Sequence, residues 1–168
     1  MNDAGPVQSD TYLTFHLDND LFGLNIPLVR EVLEYKTVTR VPLTADFMCG
    51  VINVRGRVVP VVDLRKKFRL EAVEKTINTC IIIVELENDG ESSTMGMLVD
   101  GVQEVLEISR EQIEAAPRMN QKIDKGFIRG IGKLTDDFVI LLDIQEIFSR
   151  QEINTLSDLQ QQEITVDA

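Results

Sequence analysis

The chain has 168 residues, 43% of them hydrophobic, and 28 acidic against 17 basic side chains give a net charge of −11. That length suits one domain or two small fused lobes, and the apolar share is enough for a core. So negative a chain is not expected to bind nucleic acid or anionic lipid, although without residues 1–10 and 149–168 the balance is a milder 22 acids to 16 bases.

Residues 1–10 are polar, with Gly5 and Pro6, and read as a flexible lead-in without the basic and apolar regions of a secretory leader. Residues 11–17 alternate, with Tyr12, Thr14 and His16 on one side and Leu13, Phe15 and Leu17 on the other. Asp18-Asn19-Asp20 is a turn, and residues 21–26 complete a hairpin. Pro27 predicts the first turn of a short helix with Val29, Val32 and Leu33 on one face. A further strand is predicted before Pro42, then a turn of helix at Phe47 and Met48 and an extended stretch over 50–54. Arg55-Gly56-Arg57 turns the chain into an apolar strand over 58–64, where Pro60 limits pairing on one side.

After a charged link over 65–75 the pattern restarts, with strands over 77–86, 94–99 and 102–108, the first two joined at Asn88-Asp89-Gly90. No run approaches the roughly 20 apolar residues of a membrane span, and the longest candidate is interrupted by Glu85. A polar stretch with Pro117 leads to strands over 127–134 and 138–144. About ten short strands indicate an all-β barrel or sandwich. In the polar extension 149–168, Ile153, Leu156 and Leu159 have helical spacing.

The two halves of the chain resemble each other. Phe22-Gly23-Leu24 aligns with Met95-Gly96-Met97, and Val29 to Glu34 with Val102 to Glu107, both at an offset of 73. Gly50-Val51 and Val61 to Leu64 align with Gly130-Ile131 and Leu141 to Ile144 at an offset of 80. Three matches in order indicate two similar barrels of about 65 residues, each too small to be comfortably stable alone and packed with a groove between them.

Catalytic and metal chemistry find no support. His16 is the sole histidine and lies in an alternating strand with no partner in view. Cys49 and Cys80 sit in apolar stretches and read as buried, reduced thiols. A calcium loop starting at Asp18 and Asp20 fails at Phe22 and Val29, where ligands belong. The glycines from Gly126 to Gly132 precede Lys133-Leu134 and do not have the spacing of a phosphate loop. Of the basic stretch Arg55, Arg57, Arg65, Lys66, Lys67 and Arg69, most are expected on a solvated face, Arg55 excepted because it stands at a tight turn. No enzyme activity, metal or cofactor is expected.

Tyr12-Leu13-Thr14-Phe15, Phe22-Gly23-Leu24-Asn25-Ile26 and Val29-Arg30-Glu31-Val32-Leu33 resemble the opening of the CheW family of chemotaxis coupling proteins. Gly50-Val51-Ile52-Asn53-Val54-Arg55-Gly56 with Val59-Pro60-Val61-Val62-Asp63-Leu64 is similar to that family's most recognisable signature, and Met95 to Val102 continues it. The likeness runs over residues 11–148. It implies an all-β fold of two intertwined five-stranded SH3-like barrels with short helices. It also implies a cytoplasmic adaptor, held at the inner face of the membrane in receptor arrays and not inserted in it. Such an adaptor couples the tips of methyl-accepting chemoreceptors to the regulatory domain of the histidine kinase CheA. It is a monomer in isolation and a ring component in the array.

Carried over by resemblance, the receptor groove comprises Ile26, Val29, Glu31, Gly50, Asn53, Arg55, Thr79 and Gly96, with Glu31 and Arg55 paired, and the kinase-facing surface comprises Val32, Val38 and Arg40 of the first barrel. Other readings are a coupling protein for pilus or second-messenger control and a barrel holding a small ligand between its lobes.

Overall fold

Leu13, Phe15 and Leu17 need one buried face and Tyr12 and Thr14 another, which the first hairpin provides: β1 (Ser9–Leu17) pairs antiparallel with β2 (Asp20–Asn25). The computed structural model describes residues 8–42, 46–88, 90–115 and 125–148. Most of the lead-in, the stretch around Pro117 and the extension 149–168 lie outside the described residues; Ser9 and Asp10, expected in the lead-in, open β1.

The helix predicted after Pro27 is replaced by one 3-10 turn at Ile26–Leu28 and by strand β3 (Val29–Glu34). Residues 29–34 fit both periods, and pairing decides between them: β3 lies antiparallel on β6 (Cys80–Asn88), with Leu33 opposite Ile81. The strand predicted before Pro42 is reduced to a bridge, in which Thr39 and Val51 exchange backbone bonds of 2.9 and 2.8 Å. Residues 43–45 are outside the described set; Phe47 lies in a turn and Met48 opens β4 (Met48–Val54) instead of a helix. Strand β5 (Arg57–Asp63) follows. Its parallel ladder with β7 (Glu91–Val99) begins one residue past Pro60, whose nitrogen has no hydrogen to donate.

Strand β8 (Gly101–Ser109) is followed by an unforeseen two-residue strand, β9 (Ile113–Glu114), and then by β10 (Ile128–Lys133) and β11 (Phe138–Leu142). The expected link after Leu64 and the expected end of the last strand are single helical turns, α1 (Leu64–Lys67) and α2 (Ile144–Ile147). Asp63 caps α1 by accepting the Arg65 N–H at 2.9 Å.

The strands form two sheets, ordered β8-β1-β2-β11-β10-β9 and β3-β6-β7-β5-β4. The repeat is real, but neither half makes a barrel by itself. β1 and β2 of the first half stand with β8 to β11 of the second in a terminal barrel, and β6 and β7 stand with β3 to β5 in a central barrel. Equivalent parallel ladders join the halves, β2 with β11 at Gly23–Leu141 and β7 with β5 at Gly96–Val61. Each barrel is closed by the chain running on from its edge strand: Thr39, beyond β3, reaches β4, and β9, beyond β8, reaches β10.

The exchange produces three cores. Leu13, Phe15, Leu17, Phe22 and Leu24 of the terminal barrel meet Ile82, Val84, Leu86, Met95 and Met97 of the central one in the largest cluster. Ile81, Ile83, Ile52, Val59 and Val61 fill the central barrel, and Tyr12, Ile108, Val139 and Leu141 fill the terminal one. Phe15 stacks on Phe22 with ring centroids 5.8 Å apart, and Phe22, Phe68 and Phe127 continue the contact at 6.0 and 6.2 Å.

Arg65 departs from the solvated face expected of it, for it is 6% exposed and ties the barrels together. Its guanidinium donates to Asp100 at 2.5 Å, to Asp18 at 3.2 Å and to the Glu71 carbonyl at 2.8 Å. Asp100 also accepts the Asp18 N–H at 2.7 Å, so the β1–β2 turn, the β7–β8 turn and the loop after α1 meet on one cation. Asp18 and Asp100 keep side-chain exposures of 49% and 27% and regain water when the cation is removed, so the loss is that of charge-assisted hydrogen bonds. Arg65→Met is expected to lower unfolding free energy by about 2 kcal/mol, measured by urea denaturation.

Candidate docking site

Glu31 on β3 and Arg55 in the β4–β5 turn form a bidentate ion pair, with Arg55 Nη1 2.5 Å from Glu31 Oε2 and Nη2 2.8 Å from Oε1. The turn that presents Arg55 has two residues of positive φ, Arg55 at 52° and Gly56 at 82°. Such a pair of left-handed residues matches the twist of a hairpin. The turn is braced from below: Asn53 Oδ1 accepts the Gly56 N–H at 2.7 Å, and Lys36 Nζ donates to the Asn53 carbonyl at 2.5 Å. The hydrogen bond from Arg55 holds the Glu31 carboxyl below its ordinary value, assisted by the charges of Arg55 and Lys36 and opposed by burial. The Glu31 bond in turn raises Arg55.

Ile26 and Val29 are half-buried and pack on the inter-barrel core, so each exposes part of an apolar surface shortly before Glu31 in the chain. Asn53 is exposed on β4. The other three groove candidates lie inside. Gly50 is buried at a bulge with φ of 142°, and a Cβ there would stand 2.0 Å from the Thr39 carbonyl oxygen. At Gly96 a Cβ would be 2.7 Å from Ile81 Cγ2. Thr79 is buried, and its hydroxyl accepts the Thr76 N–H at 2.8 Å.

Val32 is 42% exposed on the edge strand β3, and its repeat equivalent Val105 is 54% exposed on β8. Val38 and Arg40 lie apart from Val32, on an open cleft of about 900 Å³ that also includes Tyr35, Cys49 and Thr79. Of the eight groove candidates only Thr79 lines this cleft, together with two of the three kinase-facing candidates. Lys36 was missed by sequence reading, since its contact with Asn53 depends on barrel closure.

Among the described residues no group of three or more His, Cys, Asp and Glu is arranged to hold a metal ion, and no helix is long and apolar enough to cross a membrane. Cys49 and Cys80 are free thiols raised by burial, Cys49 to about 11, which disfavours the nucleophilic thiolate.

Two strand-exchanged SH3-like barrels with an ion pair displayed at a braced turn define a β-barrel scaffold of the CheW type. The family model described as "CheW-like domain" matches residues 11–152, and the chain belongs to that family. It is 37% identical over 150 residues to a chemotaxis protein CheW of Klebsiella aerogenes, covering 89% of this chain and 88% of that one. With a chemotaxis protein CheW of Bacillus subtilis it shares 30% over 139 residues, covering 83% and 86%. The crystal structure of the scaffolding protein TtCheW from Thermoanaerobacter tengcongensis superposes with a TM-score of 0.74 at 35% identity, over 84% of this chain and 94% of that one.

The Glu31 carboxyl is expected to titrate below an ordinary glutamate in a carbon-detected NMR titration, and Arg55→Gln to return it to the ordinary range. Because the folded value is the lower one, the pair's contribution is complete above the ordinary glutamate range and is lost as pH falls through the folded value. Gly50→Ala is expected to cost about 3 kcal/mol and Gly56→Ala, which meets no atom within 4 Å, about 1 kcal/mol, both read by urea unfolding.

Proposed function

We propose that this protein is a non-catalytic adaptor that couples the cytoplasmic tips of chemoreceptors to the histidine kinase CheA and helps build the receptor–kinase array at the inner face of the membrane. The observation that carries the reading is the exposed bidentate Glu31–Arg55 pair, set on a braced turn, with Glu31 following the half-buried Ile26 and Val29 by five and two residues. A helical receptor tip is recognised by apolar residues laid along one face and fixed in register by charged bonds at its edge. Ile26 and Val29 supply the first element, and Glu31, Arg55 and Asn53 the second. Gly50, Gly96 and Thr79 act on docking through the frame, by allowing the close packing of the central barrel. Val32, Val38 and Arg40 face the regulatory domain of the kinase, with Val32 as an exposed apolar contact on an edge strand. The protein acts as a monomer that becomes a ring component in the array.

Isothermal titration against the isolated CheA regulatory domain of the same genome is expected to give saturable one-to-one binding, roughly micromolar as for transient interfaces. No binding by the folded protein to any kinase of that genome overturns the reading. In receptor co-sedimentation, Glu31→Arg and Arg55→Glu are each expected to weaken coupling while circular dichroism stays unchanged. Undiminished coupling in both variants removes these residues from the receptor face.

A further inference from the structure

The terminal barrel has a polar feature that the adaptor reading does not use. Tyr12 is 3% exposed, and its hydroxyl has no hydrogen-bond partner among the described residues. Its ring belongs to the core with Ile108, Val139 and Leu141, yet the residue also lines a small open pocket of about 280 Å³. The other lining residues are Asp10, Arg110, Ile113, Arg129 and Leu141. Neither Arg110 nor Arg129 has an ion-pair partner among the described residues, and both side chains are exposed. In a chain of net charge −11, two unpaired guanidinium groups at one pocket are against the general trend.

The fold does not require these groups. Strand pairing places Tyr12 opposite Leu106 and Ile81 opposite Leu33, so Ile81 holds the equivalent place in the central barrel. The repeat offsets place Thr37 where Arg110 stands and Cys49 where Arg129 stands. An aliphatic residue, a hydroxyl and a thiol are therefore sufficient for barrel construction, and the phenol and two cations are additions of the terminal barrel. Burial and the Asp10 carboxylate raise the phenol, opposed by the charges of Arg129 and Arg110, which line the same pocket. The phenol stays protonated and has an O–H to donate. Asp10 offsets one positive charge and leaves a surplus of one.

We propose that this pocket is a carboxylate-binding subsite, with Arg110 and Arg129 flanking the anion and Tyr12 donating from the floor. Two guanidinium groups suit a planar acceptor of two oxygens, and a phenolic O–H adds a third donor. The volume lies below the range of about 300–1,000 Å³ of pockets for drug-sized ligands, so the occupant is a small carboxylate or the side chain of an aspartate or glutamate on a partner protein. The site does not depend on the proposed coupling role, since it lies on the other barrel.

The test uses the full-length protein and NMR of the arginine Nε–H groups. Sodium succinate and the blocked peptide acetyl-Gly-Glu-Gly-amide are titrated separately at ionic strength matched with sodium chloride. Saturable shifts at Arg110 and Arg129 are expected with a dissociation constant on the order of millimolar, weakened about tenfold by Arg110→Gln or Arg129→Gln. Tyr12→Phe keeps the ring and is expected to weaken binding about threefold without lowering Tm, because its hydroxyl has no internal partner to lose. Tighter binding of the peptide identifies a partner's acidic side chain as the source, and tighter binding of succinate a free carboxylate. If neither probe gives shifts beyond those of chloride, or if Tyr12→Phe lowers Tm as a core hydrogen bond would, the proposal is overturned.

Discussion

Everything else in the molecule depends on the apolar layer between the two barrels. Strand β6 shows why: Ile81 and Ile83 face the central barrel, while Ile82, Val84 and Leu86 face the terminal one, so the strand is buried on both sides. A strand with two apolar faces has no stable place at a solvated surface. Strand β1 meets the same condition from the other side, with Leu13, Phe15 and Leu17 in the shared layer and Tyr12 inside its own barrel. Each barrel thus supplies the wall that the other needs. Arg65 completes the joint with charge, binding Asp18 and Asp100 where the two chain reversals meet.

On that frame the docking elements are held with little freedom. Gly50 allows the chain beyond β3 to lie against β4, and the Thr39–Val51 bridge then fixes β3 relative to the hairpin that carries Arg55. Glu31 lies on β3 and Arg55 in the turn that ends β4, the two edge strands of their sheet, and barrel closure is what brings them together. The pairing of these two residues therefore reports on closure of the central barrel as well as on the face proposed for the receptor. The coupling role proposed above rests on this rigidity.

Much of the strand pattern was readable from residues alone. Alternation in β1 and the Asp18-Asn19-Asp20 turn located the first hairpin, and the Arg55-Gly56 turn located another. The internal repeat was also legible, although not which half supplies which strands, since exchange leaves no mark on local patterning. Val29, Val32 and Leu33 fit one face of a helix as well as a strand, because short segments satisfy both periods, and only contact with β6 distinguishes them. The burial of Arg65 leaves no local sign, because its carboxylate partners lie 47 and 35 residues away along the chain and charge alone reads as solvent exposure. The resemblance to the CheW family named the Glu31–Arg55 pair, which the structure forms; it also grouped Thr79 and Gly96 with them, and these lie within the packing.

The exchange of strands between the repeats has a consequence for how such a molecule can be assembled. One repeat alone has β-strands for parts of two barrels and closes neither, so a free half-length chain would have to pair with a second copy by mutual swapping. Such a dimer would depend on concentration. Joining the repeats in a single polypeptide makes the encounter intramolecular, at an effective concentration on the order of millimolar for a short connection. The covalent link thus turns an association equilibrium into a folding step, and frees the outer surfaces of both barrels from any need to find their own kind.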